Sequence, residues 1–359
     1  DPNTMYLLAI DPVRDGYAPE KAENLFQKLP QQLKTIGAVR GIALAAEAPF
    51  SISGAQAELT TARDSSAKPV SKLVSKETVG ASYFKILSEP MLSGREFTDR
   101  DQMAVDTLPA VLNESAAQAL FGNAAAVGQR VTEDQKSYEV VGVVPDLKNG
   151  IPDDDQPTAV IYLPLTLRDF SSPPPGGMTI LVRSDAGVDA LAAVRRMLAA
   201  TDPDLAVFNV RTLSEHLELS RASMRLALDV YGAIGLFGLV LAAIGLAGVT
   251  AYAVARRRRE IGIRMALGSS KAQVLRLVLR EGSALVAIGT VLGLLGAMAM
   301  VKMLSALTSI VVEAFKLGTD DPRLVVGAPV LLAAIAMLAC YLPARRSTKI
   351  DPLKALRQD

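Results

Sequence analysis

One histidine, His216, and one cysteine, Cys340, are all the imidazole and thiol in the 359 residues. A single cysteine allows no intrachain disulfide, and the pair nearly excludes a zinc site built from the usual ligands. His216 stands alone ahead of a long apolar run, without the neighbours that would make it a general base. Asp153, Asp154 and Asp155 form an acidic run that reads as a solvated loop rather than a cation site. No GxSxG, P-loop, HExxH or calcium-loop pattern occurs. The expectation is no catalytic residue, no cofactor and no metal. The stretch that stands out is 256–271, RRRREIGIRMALGSSK, where Arg256, Arg257, Arg258 and Arg259 run into a short amphipathic segment. Glu260 and Arg264 stand at i,i+4 beside Ile261, Met265 and Leu267, with Gly262 and Gly268 freeing the ends. That pattern suits electrostatic anchoring and docking rather than bond-making.

The elements that position this segment are apolar. Hydrophobic residues make up 50% of the chain and charged residues 21%, with 38 Lys+Arg against 37 Asp+Glu. A balanced charge argues against a protein with a wholly basic, nucleic-acid-binding surface. The apolar residues concentrate after residue 225. Residues 230–255 carry no charge, and about 20 such residues suffice to cross a bilayer. Further runs begin at Gly282, interrupted by Lys302, and at Leu324. The expectation is three transmembrane helices at about 228–255, 282–311 and 324–344. No ionisable residue sits centrally in any of them, which counts against an ion-coupled transporter. Glycines recur within them, as at Gly232, Gly235 and Gly238, and let helix backbones approach closely in lipid.

Charge sets the direction. The segment 256–280 contains Arg256–Arg259, Arg264, Lys271, Arg276 and Arg280, with Glu260 as its acid. The tail carries Arg345, Arg346, Lys349, Lys354 and Arg357. Lys/Arg bias places both in the cytoplasm and residues 1 to about 225 outside. Arginines at the membrane edge attract anionic headgroups by about 1 kcal/mol each. Membrane lipid is therefore an expected partner, and nucleic acid is not. The chain opens DPNTMY without a visible signal peptide, as a processed chain or an excised fragment would.

Residues 1–215 have soluble character. Residues 20–34 place Ala22, Leu25, Phe26 and Leu29 on one helical face, with Pro30 ending or kinking the helix. Residues 39–49 read as a strand leaving for a loop, and 51–75 as polar, exposed and loosely patterned. A short helix is expected in 81–90. Residues 108–122 read as a strand, a helix capped by Asn113 and a stop at Gly122. Residues 138–147, 159–165, 178–184 and 206–212 are strand-like and 188–200 helical, with 171–177 a loop. The alternation indicates an α/β or α+β domain with room for two lobes.

REIGIRMALGSSKAQVLRLVLREG (259–282) and CYLPARRSTKIDPLKALR (340–357) closely resemble the FtsX-like ABC transporter permease family. ASYFKILSEPMLSGREFTDRD, AVLNESAAQALFG, VGQRV and YEVVGVVPDLK, in that order, resemble the MacB-like periplasmic core domain. The resemblance covers essentially the whole chain. It implies an α+β extracytoplasmic domain, 1–215, followed by a permease domain, 216–359, with the last three of four transmembrane helices in a bacterial inner membrane. The chain would lack the first helix by truncation, or be half of a duplicated permease.

The resemblance also implies that Glu260, Ile261, Gly262, Arg264, Met265, Ala266, Leu267 and Gly268 belong to a coupling helix that docks on an ABC ATPase. ATP hydrolysis would occur in that separate subunit or domain, and the chain would transmit the motion outward for efflux or for lipoprotein or lipid handling. A second permease module, as a homodimer partner or an internal repeat, is implied as well, and a periplasmic adaptor is a further candidate partner. The alternatives are a non-transporting FtsX-like regulator and a membrane-anchored sensor without an ATPase.

Overall fold

The computed structural model describes residues 2–51, 55–61, 69–103, 108–122, 124–133, 136–147, 158–185, 190–257, 263, 270–307 and 322–347. They fall into two compact units, Asp1–Arg225 and Leu226–Asp359.

The first unit is α+β. Its strands are β1 (Met5–Ile10), β2 (Val39–Ala45), β3 (Ala55–Thr61), β4 (Ser71–Val79), β5 (Ser93–Gly94), β6 (Leu108–Asn113), β7 (Arg130–Glu133), β8 (Lys136–Val144), β9 (Val160–Pro164), β10 (Met178–Ser184) and β11 (Val207–Thr212). Its helices are α1 (Pro19–Lys34), α2 (Tyr83–Leu87), α3 (Glu114–Phe121), α4 (Leu167–Ser171) and α5 (Ala190–Thr201).

Two sub-structures share the sheet. Strands β11-β1-β10-β2 form an antiparallel layer. Because β1–α1–β2 and β10–α5–β11 interleave, this layer is a pair of split β-α-β units. The apolar faces of α1 and α5 cover one side of it, with Phe26, Leu29, Leu33, Val194 and Leu198 packed on Leu8, Ile10, Ile42 and Ile180. Truncating Leu29 or Leu33 to alanine would cost about 2–5 kcal/mol. The remaining strands run β4-β3-β7-β8-β6-β9, and parallel pairing of β9 with β4 closes them into a ring. Leu59, Val74, Leu112, Val131 and Ile161 form its core, joined by Ala116 and Leu120 of α3. A third cluster joins the two parts, with Met5, Leu7, Ala43 and Leu181 from the layer meeting Tyr83, Phe84, Val111 and Tyr162.

Two expectations need correcting. Helix α1 continues through Pro30 to Lys34. Proline removes one backbone hydrogen bond there, but Leu29 and Leu33 on either side are fully buried and keep the last turn docked. The described residues of 51–75 are not loosely patterned, since the whole of β3 and the start of β4 fall within them. Their alternation is carried by few apolar residues, Ala57, Leu59 and Val74, which point into the ring while polar neighbours face out.

The span from β6 to α3 follows the sequence closely. The Asn113 side-chain oxygen accepts from the Ala116 amide at 3.0 Å, capping α3, and from the Val160 amide at 2.8 Å. Its amide donates to the Thr158 carbonyl at 2.7 Å, so one residue caps a helix and ties β6 to the approach to β9.

Among the described residues, three long helices follow: α6 (Leu213–Arg256), α7 (Lys271–Leu307) and α8 (Pro322–Ser347). Helix α6 starts directly after β11, so it begins just before the expected domain boundary at 215/216. Among the described residues, α6 and the stretch Gly282–Met300 of α7 are long and apolar enough to cross a membrane, and α8 contains a shorter apolar stretch, Pro329–Ala339. Tyr231 and Phe237 on α6 are 73% and 66% exposed, far more apolar surface than a water-facing helix tolerates. The hydroxyls of Thr250 and Thr290 each donate to the carbonyl four residues earlier, at 2.8 Å, so these polar groups are satisfied within their own helices.

Candidate coupling segment

The segment between α6 and α7 is bounded by two well-defined helix ends. Helix α6 finishes at Arg256, and the Arg257 amide donates to the Val254 carbonyl at 3.2 Å, tightening the last turn. The side chains of Arg256 and Arg257 are exposed. Helix α7 begins with a reciprocal cap. The Ser270 amide donates to the Gln273 side chain at 2.9 Å, and the Gln273 amide donates to the Ser270 hydroxyl at 3.3 Å. This S-x-x-Q capping box, which was not among the sequence-based expectations, fixes where the segment ends. Residues 271–280, expected within the cytoplasmic segment 256–280, are helical and continuous with the second apolar run.

Between those ends, Ile263 is described and is 50% exposed. Arg258, Arg259, Glu260, Ile261, Gly262, Arg264, Met265, Ala266, Leu267 and Gly268 lie outside the described residues. Arg345 and Arg346 fall in the last turn of α8. The acidic run Asp153–Asp155 also lies outside them.

The outer-domain phrases that carry the family resemblance turn out to be a set of mutually locking contacts. In SGREFTDRD, the Arg95 guanidinium donates twice to Asp101, at 2.8 and 2.9 Å, and the Thr98 amide and hydroxyl donate to the same carboxylate at 2.7 and 2.9 Å. Those donors outweigh the cost of burial and hold Asp101 below the usual carboxylate range. The Glu96 carboxylate accepts from the Phe84 and Lys85 amides at 2.8 and 3.2 Å, serving the start of α2. These residues are structural.

Two ionisable groups take their environment from the fold: Glu77, absent from the sequence-based expectations, and His216, expected there to stand alone. Glu77 on β4 accepts from the Tyr83 hydroxyl at 3.3 Å, and burial pushes its carboxyl up to about 7. His216 is buried near the start of α6. Desolvation and then Arg211 lower its pKa, opposed by the Pro49 carbonyl, and neither ring nitrogen makes a well-formed hydrogen bond. Tyr83 is close to Glu77 in the chain, but the burial that acts on Glu77 and His216 is set by the folded unit, so spacing could not reveal it.

The family model for the MacB-like periplasmic core domain matches residues 8–200, and that for the FtsX-like permease C-terminal region matches 232–352. Among curated relatives, the pyoverdine export ATP-binding/permease protein PvdT of Pseudomonas syringae pv. tomato is 28% identical over 278 residues, covering 76% of this chain and 41% of the relative. The macrolide export ATP-binding/permease protein MacB of Agrobacterium fabrum is 27% identical over 288 residues, covering 78% of this chain and 43% of the relative. The chain thus spans about two fifths of the length of these relatives. Among solved structures, the periplasmic region of MacB from Actinobacillus actinomycetemcomitans aligns at 17% identity and TM-score 0.37, over 63% of this chain and 92% of that one. The extracellular domain of the transporter YknZ from Gram-positive bacteria aligns at 16% identity and TM-score 0.36, over 57% of this chain and 100% of that one. With the periplasmic model covering more than half of the sequence and the permease model following it in tandem, the chain belongs to the family of FtsX-like permeases that carry a MacB-like periplasmic core domain.

Proposed function

We propose that this chain is the permease part of an ABC-type exporter, converting ATP hydrolysis in a separate subunit or domain into movement of its extracytoplasmic unit. The observation that carries the reading is the pairing of the α+β unit with apolar helices whose connecting segment is strongly basic. The capped start of α7 at Ser270 and the close of α6 at Arg257 leave 258–269 as a short bridge between two membrane helices. Glu260, Ile261, Gly262, Arg264, Met265, Ala266, Leu267 and Gly268 dock this bridge on the ATPase. Arg256–Arg259, Arg345 and Arg346 anchor it at anionic headgroups. Helix α8 is the third span of this reading, its apolar stretch 329–339 lying at the centre of a 26-residue helix.

The location is a bacterial inner membrane, with residues 1 to about 225 outside and the C-terminus in the cytoplasm. A second permease module completes the unit, and an adaptor outside the membrane is an additional partner. The names of the relatives support export as the direction of work, and neither siderophore nor macrolide is carried over as cargo.

Co-purification of the complete protein with candidate ATPases tests the reading. The double variant Glu260→Ala/Met265→Arg should insert normally and lose the ATPase that the unaltered protein retains. Equal recovery removes 260–268 as the principal dock. Failure of both forms to bind any ATPase favours the sensor alternative. ATPase binding without transport favours the FtsX-like regulator.

A further inference from the structure

A cavity of about 400 Å³ opens on the face of the antiparallel layer opposite α1 and α5. Its floor is Leu7 and Ala9 of β1 and Thr179 of β10, and its walls are the 46–51 segment and the Pro174–Gly177 turn. Two features of β11 shape it. Between Leu7 and Ala9 the pairing of β1 with β11 shifts register, and Asn209 at that bulge adopts a left-handed conformation, φ 53°. The bulge keeps Arg211 opposite Leu7, where it lines the cavity. At Gly177 the backbone has φ 73°, and a Cβ would stand 2.9 Å from the Ile10 carbonyl oxygen and 2.6 Å from the Phe208 ring. The turn wall is thus drawn against the sheet by a position that only glycine fits.

Arg211 is the unusual group. Its Nε is fully buried and has no hydrogen-bond partner, and no ion pair engages its guanidinium among the described residues. A buried guanidinium donor left empty is costly, because water has been removed and nothing replaces it. His216, close enough to feel the Arg211 charge, has both nitrogens unsatisfied as well. Glu47 lines the same cavity but is exposed, and no ion pair joins it to Arg211. Arg211 and Glu47 thus bring opposite charges to one cavity, with no ion pair between them among the described residues, and Leu7, Ala9, Ala46 and Ala48 add apolar lining.

We infer that this cavity binds a small amino-carboxylate, a free amino acid or a short peptide, with its carboxylate on the Arg211 guanidinium and its ammonium at Glu47. The planar fork of arginine suits a carboxylate acceptor. The cavity volume falls within the range of small-molecule sites.

The protein contains no tryptophan, so binding is best read from the ligand. Saturation-transfer NMR on the full chain in nanodiscs would titrate L-alanyl-L-alanine, L-alanine, N-acetyl-L-alanyl-L-alanine and L-alanyl-L-alanine amide. The expected result is saturable binding of one or both of the first two, their ratio telling peptide from free amino acid. Blocking either end should weaken binding by about tenfold or more, and Arg211→Gln should do the same for the dipeptide. Glu47→Gln should weaken the dipeptide and leave its N-acetyl form unchanged. Should Arg211→Gln fail to fold, the blocked ligands on unaltered protein decide the matter alone. Absence of saturable binding by both free forms overturns the inference, as does equal binding of free and blocked ligands.

Discussion

Gly94 lies directly opposite Gly142 in the antiparallel pairing of β5 with β8, and neither position has room for a side chain. A Cβ on Gly94, where φ is 75°, would stand 2.1 Å from the Val141 carbonyl oxygen, and one on Gly142 would stand 2.5 Å from the Arg95 carbonyl oxygen. The two glycines let the strand that leads into Arg95 and Glu96 lie flush on β8. The family-resembling phrase SGREF is therefore a packing requirement with an identifiable cause.

Gly94→Ala should destabilise the outer unit by about 2–4 kcal/mol, from backbone strain plus a clash that only backbone movement relieves. Gly128→Ala is the matched control. Gly128 also has positive φ, 85°, but nothing lies within 4 Å of its Cβ position, so it should lose only about 1 kcal/mol. Urea denaturation followed by circular dichroism separates them, and equal losses would mean that close approach contributes nothing at Gly94.

Glu77 gives the outer unit a pH dependence whose sign can be worked out. Its ordinary value of 4.5 is raised to about 7, chiefly by burial and against the pull of the Tyr83 hydroxyl. A carboxyl that holds its proton more tightly in the folded state makes folding take up protons, so stability falls as pH rises from about 4.5 to about 7. The loss should be on the order of 1–3 kcal/mol. Glu77→Gln should flatten that part of the profile and raise stability at pH 8. His216 works in the opposite sense, since its lowered value costs stability as pH falls below 6.5. Unfolding midpoints of the single and double variants between pH 5 and pH 8 distinguish the two contributions.

What was legible follows from how local each signal was. Asn113 and Gly122 mark both ends of α3 because capping involves residues within one turn of each other. The Ser270–Gln273 box is equally local, and its S-x-x-Q spacing is the signal that would have found it. The strand β3 was missed because burial of Ala57 and Leu59 depends on the closed ring, and its own residues are mostly polar. The continuity of α1 through Pro30 depends on packing against α4 and the sheet, where Phe26 stacks on Phe170 with ring centroids 5.4 Å apart. The cavity at Arg211 draws on β1, the 46–51 segment, the 174–177 turn, β10 and β11. No window along the chain contains all of them, whereas the 256–271 segment announced itself because its charges are consecutive.

The ion pair of Lys76 with Glu133 crosses the ring from β4 to β7. Lys76 donates to both carboxylate oxygens, at 2.7 and 3.0 Å, and the Tyr138 hydroxyl adds a third donor at 3.1 Å. Glu133 is 9% exposed, so removing its cation leaves a poorly solvated charge. Lys76→Met should cost about 1–3 kcal/mol, and the double variant Lys76→Met/Glu133→Gln should regain a measurable part of it. A double-mutant cycle by thermal unfolding reads the coupling directly, and strict additivity would show that the pair acts independently.

Topology is open to a test that uses the scarcity of thiols. With Cys340, and any cysteine outside these 359 residues, replaced by alanine, single cysteines can be introduced at Asp204, Arg257 and Lys349 in the complete protein. A membrane-impermeant maleimide added to intact spheroplasts should label Asp204→Cys at once. Arg257→Cys and Lys349→Cys should react only after the membrane is permeabilised, because Lys/Arg-rich flanks remain on the cytoplasmic side. The Lys349 position discriminates most sharply. If α8 lay along the interface instead of crossing, residue 349 would stay on the outer side with the loop that precedes it, and its cysteine would react as fast as that at 204. Protection at 257 with labelling at 349 would therefore remove the third span and leave the basic bridge between α6 and α7 intact.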